Sequence, residues 1–418
     1  MDTQQRLEQI VETVRNMSRQ TDAQEVVRDY GERMKSLVHR DSLISLSRRG
    51  LEYPYFRVTR CTRWTEDVNP WKEPHRLPLF KGGLLADLIY QETPRLLEDY
   101  SLAPDEPAIE YLQGFRLLSA IPHFHGGVAT NMVITLHKDP ASFERDRFPE
   151  MVLTSNLFGR ATYNLVLADE LKTAYEALDH EFQIVGDIQR ALLPAELPRI
   201  DGLEMAAHYQ TSRRAGGDYY DFFPLPGGCW GIFIADVSGH GTPAATVMAI
   251  THAVAHAFPG PPTPPAEMLN FLNQKLTGRF MSRTSSFVTA FYAIFDPQKR
   301  ELTYACAGHN PPRLRRAGQI LPLDQVAGLP IGVDFDHQFQ DQPLKLETND
   351  LILFYTDGIT EAFNSQGQMF GVPRLDASLA AGDASAEQVV SKLVEQLDAF
   401  CAGQPVSDDR TLLALRVR

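Results

Sequence analysis

Residues 231–245 read GIFIADVSGHGTPAA. The apolar run WGIFIA (230–235) has the composition of a buried strand. It stops on Asp236, and two of the next five residues are glycine. A carboxylate beside a buried strand is costly unless something compensates its charge. The same feature recurs within residues 197–418. LILFYTD (351–357) ends on Asp357 and is followed by Gly358. GGDYYD (216–221) places Asp218 and Asp221 just ahead of an apolar segment, and SDDRTLLAL (407–415) places Asp408 and Asp409 before the last strand. A single Asp after a strand is ordinarily a turn residue or helix N-cap. Four such segments on one sheet edge would repel one another, and no Lys or Arg stands at matching places in all four. A divalent cation resolves the conflict. Hard ions such as Mg²⁺ or Mn²⁺ take oxygen ligands, keep several waters and need only a few carboxylates. Glycines beside the acids let backbone and water come close.

The remaining chemistry is narrowed by what is missing. There is no GxxxxGK[ST] phosphate loop, no HExxH, no GxSxG elbow and no Cys-x5-Arg. Water activated by two metals, acting on a phosphate ester, is the chemistry left. The 418-residue chain carries 40 Lys and Arg against 53 Asp and Glu, a net charge of -13. With no basic run, it is not expected to bind nucleic acid or an anionic membrane surface. The N-terminus lacks the basic and apolar regions of a signal peptide, and no segment reaches the ~18 apolar residues of a span. Cys61, Cys229, Cys306 and Cys401 are far apart with no CxxC, so they read as reduced thiols. A cytoplasmic location is expected.

The pattern divides the chain into residues 1–165, 166–196 and 197–418. The first part reads as helix (1–40), then strands SLISLS, FRVTR, FRLLSAIPHF and VATNMVITLH around the helix LLADLIYQET. In the second, Leu171, Tyr175, Leu178, Phe182, Val185 and Leu192 alternate 4,3 with Gln189 in the gap. That is about three heptads of coiled-coil seam, read as a dimerising helical linker, with an amphipathic helix packed on its own domain as the alternative. In the third, short strands alternate with Gly/Pro turns and a few long helices, which points to an α+β layered sandwich.

Residues ~187–418 resemble the SpoIIE-like branch of the PPM (type 2C) serine/threonine phosphatases. The matching stretches, in order, are IQRALLPAELP, GGDYYDFF, IADVSGHGTPAA, SSFVTAFYAIFD, YACAGHNPP, GLPIGV, DLILFYTDGITEAFNSQGQMFG and SDDRTLLAL. The resemblance implies an α-β-β-α sandwich with two Mn²⁺ or Mg²⁺ ions at one edge. It implies that Asp236 bridges the ions, that the Val237 carbonyl holds one, and that Asp357 and Asp408 complete the second. Asp218 supports water or a weaker third metal, and Asp221 and Asp409 could share these roles. The implied reaction is in-line attack of activated water on phosphoserine or phosphothreonine, with no phosphoenzyme. His240 and His309 are the histidines considered as general acid, each weighed against a structural turn role. Arg213 and Arg214 are the nearby arginines.

Residues ~20–165 resemble a GAF domain, carried by TDAQEVVRDYGERM and FRLLSAIPHFHGGVATNMVITLHKDPASFERDRF. That implies a sensor for an unknown small ligand or protein; Cys61, His123 and His125 lack ligand spacing and read as core or loop residues. Relatives of this architecture act on phosphorylated anti-sigma-factor antagonists, which implies such a partner and a homodimer through the linker. A pseudo-phosphatase scaffold that binds without turnover is the alternative, with a nucleotide cyclase as a further rival.

Overall fold

In the computed structural model, residues 18–28, 40–66, 68–281, 286–380 and 385–418 are described, with isolated positions 4, 8, 11, 12, 15 and 16. Most of the helix expected over 1–40 lies outside them. The chain forms two compact units, residues 1–176 and 177–418. The division falls inside the segment read as the linker.

The first unit carries one antiparallel sheet. Its strands are β1 (Ser42–Ser47), β2 (Tyr55–Cys61), β3 (Leu79–Lys81), β4 (Arg95–Glu98), β5 (Leu117–His125) and β6 (Val128–His137), in the order β3-β2-β1-β6-β5-β4. Helix α1 (Leu84–Gln91) buries Leu85, Leu88 and Ile89, its i, i+3, i+4 face, against Ile44, Leu46, Ile134 and Leu136. A single turn, α2 (Ile109–Leu112), adds Leu112 to the same core. His123 is half-buried with Nε2 2.6 Å from the Ser155 hydroxyl, and loss of solvent around the ring holds it down at about 4. His125 stacks on Tyr163. Both histidines are thus occupied locally, and all four cysteines are free.

Helix α3 (Phe148–Arg190) follows two 3-10 turns, so it begins later than the DPASFERDRF pattern suggests. Leu171, Tyr175, Leu178 and Phe182 are exposed along it. The seam does not continue as drawn. Gln189 is buried and Leu192, beyond the helix end, packs on the core of the second unit. The last heptad is therefore used inside the domain. No described helix is long and apolar enough to cross a membrane.

The second unit is a four-layer α-β-β-α sandwich. One sheet has the order β14-β11-β10-β9-β8 and the other β13-β12-β15-β16-β7. Their ranges are β7 (Leu203–Gln210), β8 (Tyr219–Pro224), β9 (Trp230–Val237), β10 (Val288–Asp296), β11 (Glu301–Ala307), β12 (Arg313–Arg316), β13 (Gln319–Pro322), β14 (Gln342–Lys345), β15 (Leu351–Tyr355) and β16 (Arg410–Val417). The helices are α4 (Thr242–His256), α5 (Pro265–Arg279), α6 (Asp357–Thr360), α7 (Gly371–Ala380) and α8 (Ala386–Cys401).

Strand β9 shows why the sequence reads apolar throughout. Its side chains alternate, and both faces are covered. Ile232 and Ile234 enter the layer between the sheets, with Phe291, Phe354 and Leu413. Phe233, Ala235 and Val237 face α4 and α5, beside Met248, Leu269 and Leu272. On the opposite outer layer, α8 is capped by a reciprocal Ser385–Gln388 box and buries Val389, Val390, Leu393 and Leu397. Phe354 lies fully buried at the centre, its ring 5.7 Å edge-on from Phe291. Phe354→Ala should lower unfolding stability by about 3–5 kcal/mol, read from urea denaturation of the C-terminal unit's transition.

Candidate active site

The acidic segments converge where the two sheets meet. Asp236 is the penultimate residue of β9 and pairs with Thr289 of β10. Asp218 immediately precedes β8. Strand β15 ends at Tyr355, so Asp357 is not a strand terminus as the sequence suggested; it opens α6 after Thr356. Asp408 and Asp409 immediately precede β16.

Asp218 is 1% exposed. Its Oδ2 accepts from the hydroxyls of Thr411 (2.5 Å) and Thr356 (2.7 Å), one from each central strand region of the second sheet. Thr356 in turn accepts from the Thr411 amide at 3.0 Å. These two threonines tie Asp218 of one sheet to the ends of β15 and β16 of the other. The pattern of acids did not reveal them, though each is adjacent or close to one of those acids in YTD and SDDRT.

Asp409 holds the loop ahead of β8. It accepts from the Ser212 amide at 2.7 Å and the Gly217 amide at 2.6 Å. Its own amide donates to the Asp408 carboxylate at 2.9 Å. Space is short around these contacts. A Cβ on Gly217 would lie 2.7 Å from the Val237 carbonyl oxygen, and one on Gly358 would run into the Asp409 carbonyl. Glycine is required at both by close approach.

The electrostatics are those of unrelieved like charge. Burial, then Asp218, Asp357, Asp408 and Asp409, push the Asp236 carboxyl well above its usual range. Burial pushes Asp218 up to about 8, with Asp409 and Asp357 adding to it and the two threonine hydroxyls opposing. Burial and then Asp408 push Asp357 up to about 6. Asp409 is raised by burial, against the Ser212 and Gly217 hydrogen bonds. The structure thus gathers Asp218, Asp236, Asp357, Asp408 and Asp409 into one interacting set. Carboxylate oxygens with a carbonyl alongside are the type of ligand that hard divalent ions take. Asp221 is not part of it: its carboxylate contacts Tyr219 and His256 instead.

His309 is buried, with Nδ1 2.9 Å from the Thr289 hydroxyl, and burial holds it down at about 4. The Thr289 contact fixes its ring against β10, and burial disfavours its charged form. His240 is exposed and lines a cavity of about 750 Å³ with Ser212, Arg213, Arg214, Phe182 and Thr242. Arg214 forks the Asp179 carboxylate at 3.1 and 3.0 Å, while Arg213 is exposed on the cavity wall. Gln189, which broke the heptad pattern, clamps the same loop. Its amide group accepts from the Gly216 amide (2.8 Å) and donates to the Gly216 carbonyl (2.7 Å). One residue on, Gly217 holds Asp409.

The fold and the cluster point to a class: the C-terminal unit is similar to the SpoIIE-like PP2C (PPM-type) serine/threonine phosphatase domains. Residues 226–418 match the family described as Stage II sporulation protein E (SpoIIE). The chain is 28% identical over 250 residues to phosphoserine phosphatase RsbU of Bacillus subtilis (strain 168), covering 59% of this chain and 72% of that protein. It is 25% identical over 183 residues to phosphoserine phosphatase RsbP of the same organism, but spans only 45% of RsbP and 43% of this chain. The solved SiaA-PP2C domain of Pseudomonas aeruginosa superposes with TM-score 0.52 at 22% identity, covering 60% of this chain and all of that one. The family is metal-dependent, using Mg²⁺ or Mn²⁺.

Two outcomes follow from this geometry. A carboxyl raised in the folded state stabilises the fold below its unfolded pKa and loses that contribution as pH rises through the folded value. The metal-free domain should therefore lose melting temperature between about pH 4 and pH 8, and the gain on adding Mn²⁺ should grow across the same window. A metal-induced gain that is flat with pH would contradict the mutual repulsion. Gln189→Ala leaves the buried Gly216 groups unpaired and should cost about 1–3 kcal/mol by denaturant melt.

Proposed function

We propose that the C-terminal unit hydrolyses phosphoserine or phosphothreonine on a partner protein. The observation that carries this is a set of acids drawn from both sheets, in which burial first and neighbouring carboxylates next raise Asp218, Asp236, Asp357 and Asp409. In this reading Asp236, the Val237 carbonyl, Asp357 and Asp408 would hold Mn²⁺ or Mg²⁺, which would supply Lewis acidity and lower the pKa of a water there. Asp218, held by Thr356 and Thr411, would support that water or a further ion. The chain's own residues orient the acids, keep the set dry on its protein side and present Arg213 and His240 on the wall of the neighbouring cavity. Arg213 is positioned to meet the phosphopeptide.

The N-terminal unit is read as a GAF-like sensor for a small molecule or protein partner. The exposed stripe Leu171, Tyr175, Leu178 and Phe182 is read as the coiled-coil seam of a homodimer. By analogy with RsbU, the substrate is taken as a phosphorylated anti-sigma-factor antagonist. The four free cysteines suit a reducing cytoplasm.

Asp236→Asn should abolish Mn²⁺-dependent release of phosphate from p-nitrophenyl phosphate and from a phosphoserine peptide. It should also raise the melting temperature without metal, because one repelling charge is gone. Wild-type turnover in that variant would refute the assignment, and no turnover in the wild type at millimolar metal would favour the scaffold reading. Leu171→Glu with Leu178→Glu should convert a dimer to a monomer in sedimentation, and an unchanged sedimentation coefficient would remove the seam.

A further inference from the structure

Asp221 lies three residues beyond Asp218, and an odd separation along extended chain reverses the side-chain direction. Tyr220 and Phe222 of β8 enter the layer between the sheets, whereas Tyr219 and Phe223 face α4. Asp221 shares that second face. There α4 presents His252 and His256, four residues apart and so one above the other on one helix side. His256 Nε2 is 2.7 Å from Asp221 Oδ2, and His252 Nδ1 is 3.7 Å from the same oxygen. The two imidazole centroids are 4.3 Å apart. One ligand atom from each of the three residues lies within 4.8 Å of the others.

We propose that Asp221, His252 and His256 form a second metal site, selective for a borderline-soft divalent ion of the Zn²⁺ class. The donor set differs in kind from the acidic cluster. Two imidazole nitrogens and one carboxylate oxygen match a tetrahedral Zn²⁺ site with its fourth position open to water, whereas hard Mg²⁺ prefers oxygens alone. The three ligands stand on one strand and one helix, two elements already packed together, so little ordering is needed on binding. An outer partner is in place as well. The Tyr219 hydroxyl donates to Asp221 Oδ2 at 2.5 Å and lies 3.0 Å from His252 Nδ1, fixing the carboxylate's orientation. The ring of Phe223, 5.0 Å from that of His256, closes one side. Solvent reaches the other: the His256 side chain is 46% exposed and that of Asp221 11%. The site is remote from the acidic set along α4. His252 stands ten residues past the helix start at Thr242, about 15 Å at the α-helical rise. The sequence held the signal, a His-x-x-x-His pair in ITHAVAH (250–256), but nothing in it said which acid the pair would face.

The test uses the full chain, stripped with chelator and then saturated with Mg²⁺ to satisfy the oxygen-rich cluster. Zn²⁺ is titrated by calorimetry, and Co²⁺ is followed by its visible absorption. The wild type should take up one Zn²⁺ per chain against the Mg²⁺ background, and Co²⁺ should show the strong bands of a tetrahedral nitrogen-containing site. His256→Gln and His252→Ala should each weaken Zn²⁺ by more than ~10-fold and remove those bands, and Tyr219→Phe should weaken it by about 10-fold. Circular dichroism confirms that each variant is folded, and His256→Gln, at a half-exposed position, tests the site if His252→Ala unfolds. Equal Zn²⁺ stoichiometry and affinity in wild type and folded variants, or no uptake by the wild type, overturns the proposal.

Discussion

The constraint that organises this molecule is the repulsion among carboxylates held in a partly dry place. Four acids from segments almost two hundred residues apart in sequence, Asp218, Asp236, Asp357 and Asp409, are raised by burial and then by the carboxylates around them at the meeting of two sheets. Such an arrangement is costly for the polypeptide alone. It persists because the surrounding structure over-determines each side chain. Asp218 is gripped by two threonine hydroxyls and Asp409 by two amides and a serine, while glycines let the segments crowd together. The sandwich core on either side, built from residues such as Phe291, Phe354 and Phe233, supplies the rigidity against which this repulsion is held.

The same loop that completes the cluster is reached from the long helix. Gln189 pairs with both backbone groups of Gly216, and Arg214 reaches Asp179, almost three turns earlier on α3. Between these contacts, residues 212–215 run along the wall of the cavity, where Ser212 also meets Asp409. A helix that reads as a connector is therefore also part of the site's support. This explains why one polar residue interrupts an otherwise apolar seam: Gln189 is buried against backbone that needs both a donor and an acceptor, and a leucine there would satisfy neither.

Much of the fold was legible in residue patterns. β1 and β6 coincide with the runs read as strands, because their composition and alternation are local properties. Both long outer helices of the first sheet follow proline-marked starts in the sequence. The acids were legible too, since an aspartate at the end of an apolar run stands out against its neighbours. The helix onset at Phe148 and the shift from strand to helix before Asp357 were not, because both are decided by which backbone groups find partners.

What the sequence by itself determined is the inventory: apolar strands, amphipathic helices, and carboxylates placed next to both. Those follow from side-chain size and polarity along a few consecutive residues. Only the tertiary structure decided direction. Asp218 and Asp221 sit in one short motif, yet one is bound by Thr356 and Thr411 and the other by Tyr219 and His256. The parity of an extended chain says that the two point opposite ways, but not which way is toward the acids. That choice depends on which layer covers each face of β8, and the layers come from parts of the chain that local pattern cannot see.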